Sequence, residues 1–172
     1  MSIPSAAADV GRLLKSTPTK VVFAESCTGG LVSGALTRIP GISACHCGGV
    51  VVYRNETKMA YLGIPASVLK KPGAVSKQVA ELMAIKVLEL TPEAEISVSV
   101  TGHLGPSAPA NLDGRVYSAI AWSDKARSRL EYQVKTARFQ CNKADSRLVR
   151  QRWVVEQVLK LLSRHLEAAA KT

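Results

Sequence analysis

Aromatic residues are scarce in this 172-residue chain, where phenylalanine, tryptophan and tyrosine together make up 5%. No base-stacking motif of the RNA-binding kind is present, which weakens the case for single-stranded nucleic acid as a ligand. Long apolar runs are missing too. Charges interrupt every one, so no transmembrane span is predicted. The opening stretch, MSIPSAAADVGRLLKS, has no basic region leading into a long apolar one, so a cytoplasmic location is expected. Cysteine is sparse, with only Cys27, Cys45, Cys47 and Cys141, and these form no dense disulfide framework. Cys45-His46-Cys47 invites a zinc reading. However, its cysteines lie closer than in a structural-zinc knuckle and no second ligand pair is evident, so small residues packed beside a strand are preferred. Neither a metal nor a cofactor is expected.

Acidic residues are also few, 13 against 23 lysines and arginines, for a net charge of +10. Such a balance attracts anions, among them phosphorylated small molecules and nucleic acid. The positive charge concentrates late, at Lys125, Arg127, Arg129, Arg138, Lys143, Arg147, Arg150 and Arg152. Charge alone supports nucleic acid, so that partner ranks last.

The length suits one domain with a substantial core. Hydrophobic periodicity predicts a helix over 5–15 with Val10, Leu13 and Leu14 inward, a strand over 20–24, and a helix over 28–37 with Leu31, Ala35 and Leu36 inward. A strand follows over 49–53, then a helix over 55–62. A helix over 76–90 is capped by Ser76, with Val79, Leu82, Met83, Val87 and Leu90 on one stripe. An alternating strand is expected over 95–101, and a strand pair over 115–122 and 129–135, turning at 123–126. A last helix, capped by Asp145, should face inward through Leu148, Val155, Val158, Leu162 and Leu166, with His165 at the surface. Strands alternating with helices argue for a single α/β domain over 1–172 with helices on both sheet faces.

In open α/β sheets, sites gather where strands end and helices begin. Three such ends carry unusual chemistry: Glu25-Ser26-Cys27-Thr28-Gly29-Gly30, the segment from Tyr53 through Asn55 to Lys58, and Thr101-Gly102-His103-Leu104-Gly105-Pro106. The glycines allow close backbone approach, and N–H groups at a helix start can hold a phosphate or oxyanion. A hydroxyl nucleophile needs a base. Of the three histidines only His103 lies at a strand end. Lys58 is the other candidate, provided that burial or neighbouring cations lower its pKa. Spacing alone favours the bland reading of Tyr53 and Lys58, a strand-end aromatic and a solvated helix lysine.

The combination is more specific. AESCTGG at 24–30, PG at 40–41, YRNETK at 53–58, LGI at 62–64, GAVS at 73–76 and VTGHLGP at 100–106 occur in order, and the chain resembles the CinA carboxy-terminal domain family from about residue 5 onward. That resemblance implies a three-layer α/β/α domain with a central mixed sheet, which often self-associates into homo-oligomers. It also implies hydrolysis of the carboxamide of nicotinamide mononucleotide, giving nicotinate mononucleotide and ammonia, without metal or membrane. Carried over, Ser26 is the nucleophile, Lys58 the base and Tyr53 its hydrogen-bonding support. The substrate would meet Cys27, Thr28, Gly29, Gly30, Asn55, Thr101, Gly102 and Gly105, with Arg147 or Arg150 on its phosphate, and Cys27 would be a neighbour rather than the nucleophile.

Two stretches depart from the family pattern. After Gly105-Pro106 the family continues with paired glycines and Lys-Pro-Val-Gly, whereas this chain reads Ser107-Ala108-Pro109-Ala110-Asn111-Leu112-Asp113-Gly114. Where the family has Gly-Asp-Arg, this chain has Ala144-Asp145-Ser146, so Arg147 comes one residue late, a swing of roughly 100° on a helix. The altered loop keeps two alternatives open: a divergent enzyme for another small amide, or an inactive module binding a nucleotide or partner.

Overall fold

In the computed structural model, residues 2–123 and 131–171 are described. The turn expected at 123–126 and the cations Lys125, Arg127 and Arg129 therefore fall largely outside the described residues. The elements run α1 (Ile3–Ser16), β1 (Val21–Glu25), α2 (Leu31–Leu36), β2 (His46–Val51), α3 (Asn55–Leu62), α4 (Ala66–Val68), α5 (Lys77–Glu89), β3 (Ile96–Gly102), β4 (Arg115–Ser123), β5 (Tyr132–Gln140) and α6 (Arg147–Ala169). The sheet order is β2-β1-β3-β4-β5. β1 lies parallel to both β2 and β3, while β4 and β5 are antiparallel, which makes the sheet mixed.

Alternation along β1 divides the core in two. Val21 and Phe23 face one side with Ile96, Val98 and Val100, and meet α1, α2 and α6 through Val10, Leu14, Val32, Leu36, Val155 and Leu162. Val22 and Ala24 face the other, against Val79, Met83 and Val87 of α5 and Leu62 of α3. The result is the three-layer α/β/α fold. At Gly49 the two parallel strands approach so closely that a Cβ would stand 2.7 Å from the Phe23 carbonyl oxygen.

Several elements differ from the sequence reading for identifiable reasons. α2 begins at Leu31 rather than Thr28, because Gly29 and Gly30 take φ of +64° and +93°, outside the helical region. Leu31 consequently faces outward at 45% exposure, and Val32 packs inward. β2 lies earlier than expected, since its pairing with β1 starts at His46 opposite Val21 and ends at Val51 opposite Glu25. Leu90 ends exposed beyond α5. The alternating serines of β3 are buried: Ser97 and Ser99 donate to the α5 carbonyls of Ala84 and Ala80, both at 2.6 Å. Their alternation therefore marks strand-to-helix hydrogen bonds rather than a wet face.

β5 runs to Gln140, five residues past the expected end. Ser146, not Asp145, caps α6 by accepting from the Val149 N–H, and Leu148 is 53% exposed. His165 stacks half-buried on Trp122 with ring centroids 4.4 Å apart, and burial there, assisted by Lys135, depresses its pKa. No described helix is long and apolar enough to cross a membrane.

The tight approach at Gly49 generates a prediction. Gly49→Ala should destabilise the protein by about 1–3 kcal/mol, read by denaturant unfolding, because the Cβ collides with backbone that cannot yield.

Candidate active site

β1 and β3 both end at a cavity of about 370 Å³, within the range of small-molecule sites. Its lining includes Ser26, Cys27, Tyr53, Asn55, Lys58, Thr101, Gly102, His103, Gly105 and Arg147, so three stretches widely separated in sequence converge here. The Ser26 N–H bonds the Val100 carbonyl at 3.0 Å, continuing the β1–β3 ladder by one residue before the chain turns. Thr101 closes another seam by donating to the Ala74 carbonyl at 2.9 Å.

Lys58 projects from α3 into the floor and is only 1% exposed. Its Nζ contacts Ser26 Oγ at 3.0 Å, the Val52 carbonyl at 2.7 Å and the Tyr53 carbonyl at 3.4 Å. Burial lowers its pKa from 10.5 to about 8. A substantial neutral fraction therefore exists near physiological pH. Tyr53 serves Lys58 through its backbone oxygen, whereas its phenol accepts a hydrogen bond from Arg147 at 2.7 Å. Burial pushes the Cys27 thiol up to about 12, so it stays protonated and is a poor nucleophile.

The sequence reading missed Glu25. Its carboxylate is buried under the turn and accepts from the Thr28 hydroxyl at 2.6 Å and from the N–H groups of Gly30, Val32 and Ser33 at 2.8–3.2 Å. The start of α2 is thus already occupied by the protein's own anion. Gly29 donates to the Ser26 carbonyl. Among the described residues only the Cys27 and Thr28 N–H groups of this turn retain no acceptor. This corrects the expectation for Gly29 and Gly30, whose amides are both spent, and leaves Thr28 only its backbone N–H, because its side chain faces Glu25. An acid directly before Ser-Cys-Thr-Gly-Gly was the available signal.

Arg150 also changes role. It is buried, and its five guanidinium N–H groups meet five acceptors: the Asn142, Leu104 and Lys143 carbonyls and both oxygens of Asp113. No donor remains for a phosphate. The pair holds the Asp113 carboxyl below its ordinary value and ties the altered 107–114 loop to α6. Gly105 lies under this pair at φ +63°, and a Cβ there would stand 2.7 Å from Asp113 Oδ1. Arg147, despite its register shift, reaches the cavity mouth, donating to the Gly105 carbonyl and the Tyr53 hydroxyl.

A serine–histidine pair lies elsewhere, Ser33 Oγ and His46 Nε2 at 2.8 Å. The Gly48 N–H points at His46 Nδ1 from 2.7 Å, which leaves the ring proton on Nε2. His46 is then a donor to Ser33, not its base. Among the described residues no group of three or more His, Cys, Asp and Glu is arranged to hold a metal ion.

Linkage makes the buried lysine testable without substrate. Between its folded pKa of about 8 and its unfolded value of 10.5 the folded state binds fewer protons, so Lys58 costs stability below pH 8 and this cost fades as pH rises. The stability of the parent relative to Lys58→Met should rise by about 2–3 kcal/mol from pH 7 to pH 10, measured by urea unfolding.

Comparison with known proteins places the architecture. A CinA-like protein of Chloroherpeton thalassium is 43% identical over 122 residues, covering 70% of this chain and 29% of its own. The chain spans under a third of the length of the curated relatives it matches. The competence/damage inducible protein CihA of Agrobacterium tumefaciens is 32% identical, with a TM-score of 0.85 over 96% of this chain and 95% of its own. A CinA superfamily protein of Klebsiella pneumoniae has the same TM-score at 25% identity, over 98% of this chain and 99% of its own. The CinA C-terminal domain model matches residues 4–166, and with the fold and these relatives it establishes that the chain belongs to the CinA C-terminal domain family.

Proposed function

We propose that this chain is a serine amidohydrolase that converts nicotinamide mononucleotide to nicotinate mononucleotide and ammonia. The observation that carries this reading is the 3.0 Å contact between Ser26 Oγ and Lys58 Nζ in a site that lowers the lysine pKa to about 8. Neutral Lys58 keeps two N–H bonds to the Val52 and Tyr53 carbonyls, which turns its lone pair toward Ser26. Ser26 attacks the carboxamide carbon as Lys58 takes its proton. Lys58 then gives that proton to the departing nitrogen, and ammonia leaves. Water, deprotonated by Lys58, hydrolyses the acyl-enzyme and restores Ser26.

The Cys27 and Thr28 N–H groups are the oxyanion donors in this scheme, each worth about 3–4 kcal/mol if well aimed. The phosphate fits the cavity charge. The lining carries Lys58, His103 and Arg147 and no acidic residue, and Arg147 has further N–H groups beyond the two it spends on Gly105 and Tyr53. Membership of the CinA C-terminal domain family supports the same reading.

Purified protein should release ammonia from nicotinamide mononucleotide, and Ser26→Ala should lower kcat/KM by at least about 10³-fold. For the parent, kcat/KM should climb with pH and level off above about 8, as Lys58 loses its proton. Absence of release by the parent, or full activity in Ser26→Ala, would overturn the assignment.

A further inference from the structure

Each unpartnered N–H beside Ser26 lies on a peptide plane whose carbonyl is held. The Cys27 N–H shares its plane with the Ser26 carbonyl, which accepts from the Gly29 N–H at 3.1 Å. The Thr28 N–H shares its plane with the Cys27 carbonyl, which accepts from the Gln151 side-chain amide at 3.2 Å. In a trans peptide the C=O and N–H point in opposite directions, so fixing the oxygen fixes the hydrogen. A donor on the oxygen also polarises the N–H at the other end of the plane. The first of these bonds is internal to the turn, and the second comes from α6, 124 residues away in sequence.

Gln151 does not line the cavity. It sits on the helix face that carries Arg147 and Arg150, at i, i+3 and i+4 spacing. That face therefore reaches all three site segments: Arg147 bonds Tyr53 and Gly105, Arg150 bonds Leu104, and Gln151 bonds the nucleophile turn. α6 is anchored in the core by Val154, Val155 and Val158, which fixes the position from which Gln151 acts.

We infer that Gln151 is a positioning residue for acyl transfer: by donating to the Cys27 carbonyl it orients and polarises the Thr28 N–H that receives the oxyanion formed when Ser26 attacks. The inference rests on the serine-amidohydrolase reading above, and a Ser26-directed probe separates the two. A fluorophosphonate bonds Ser26 Oγ at phosphorus and releases fluoride, while the Ser26 proton passes to Lys58. Its phosphoryl oxygen takes the oxyanion position.

Gln151→Met removes the donor at similar volume, and Gln151→Glu keeps the shape but presents an acceptor. Both should lose about tenfold in kcat with KM within about twofold, and lose a similar factor in fluorophosphonate labelling, at unchanged Tm. A role confined to folding would instead lower Tm and leave the labelling rate of the folded fraction unchanged, and that result overturns the inference. So do parent-like labelling of both variants, a change in KM alone, or a parent whose Ser26 resists the probe. If the parent labels at Ser26 but releases no ammonia, the amidohydrolase reading falls and the variant-to-parent labelling ratio still judges Gln151.

Discussion

The amine of Lys58 sits almost without water at the end of a side chain packed under the site, and the surrounding architecture keeps it there. Desolvation disfavours the ammonium, while the carbonyls of Val52 and Tyr53 and the hydroxyl of Ser26 hold its three bonding directions. The same geometry serves both protonation states. As an ammonium Lys58 donates three bonds; as an amine it donates two and faces Ser26 with a lone pair. No histidine is required, and the Ser33–His46 pair has its ring proton on the wrong nitrogen to act as a base.

A buried cation of this kind needs its neighbours fixed, and the protein does so with backbone carbonyls more than with side-chain charge. β2 delivers the Val52–Tyr53 carbonyls because Val52 N–H bonds the Glu25 carbonyl, one step past the last paired strand residues. The Glu25 carboxylate then folds the next turn around itself. It consumes the helix-start amides and leaves two N–H groups beside Ser26. α6 closes the far side through Arg147, Arg150 and Gln151. The 107–114 loop is held to α6 by the buried Arg150 guanidinium through Asp113.

Much of this was legible in the sequence where local patterns govern. The β1 run of apolar residues, the Ser76 cap and the limits of α3 follow from propensity and capping, whereas Ser26, Tyr53 and Lys58 stood out as a group only through the family resemblance. Long-range bonds were hidden. Nothing near Gln151 points to Cys27, and nothing near Arg150 announces that Asp113 and three carbonyls will use all its donors. The alternation of Ser97 and Ser99 predicts a strand, but it cannot tell water from a helix carbonyl as their partner. Glu25 was missed for a related reason: nothing local shows that a carboxylate before a glycine turn will be enclosed by donors of the turn itself.

The most direct test of the account is the ionisation of Lys58 itself, followed by NMR of the side-chain carbon next to the amine in protein labelled at lysine, with Lys58→Met identifying the signal. The account predicts a midpoint near 8 in the parent, set by burial. A midpoint at the ordinary lysine value of 10.5 would contradict it, because Ser26 would then face a permanent cation and have no base.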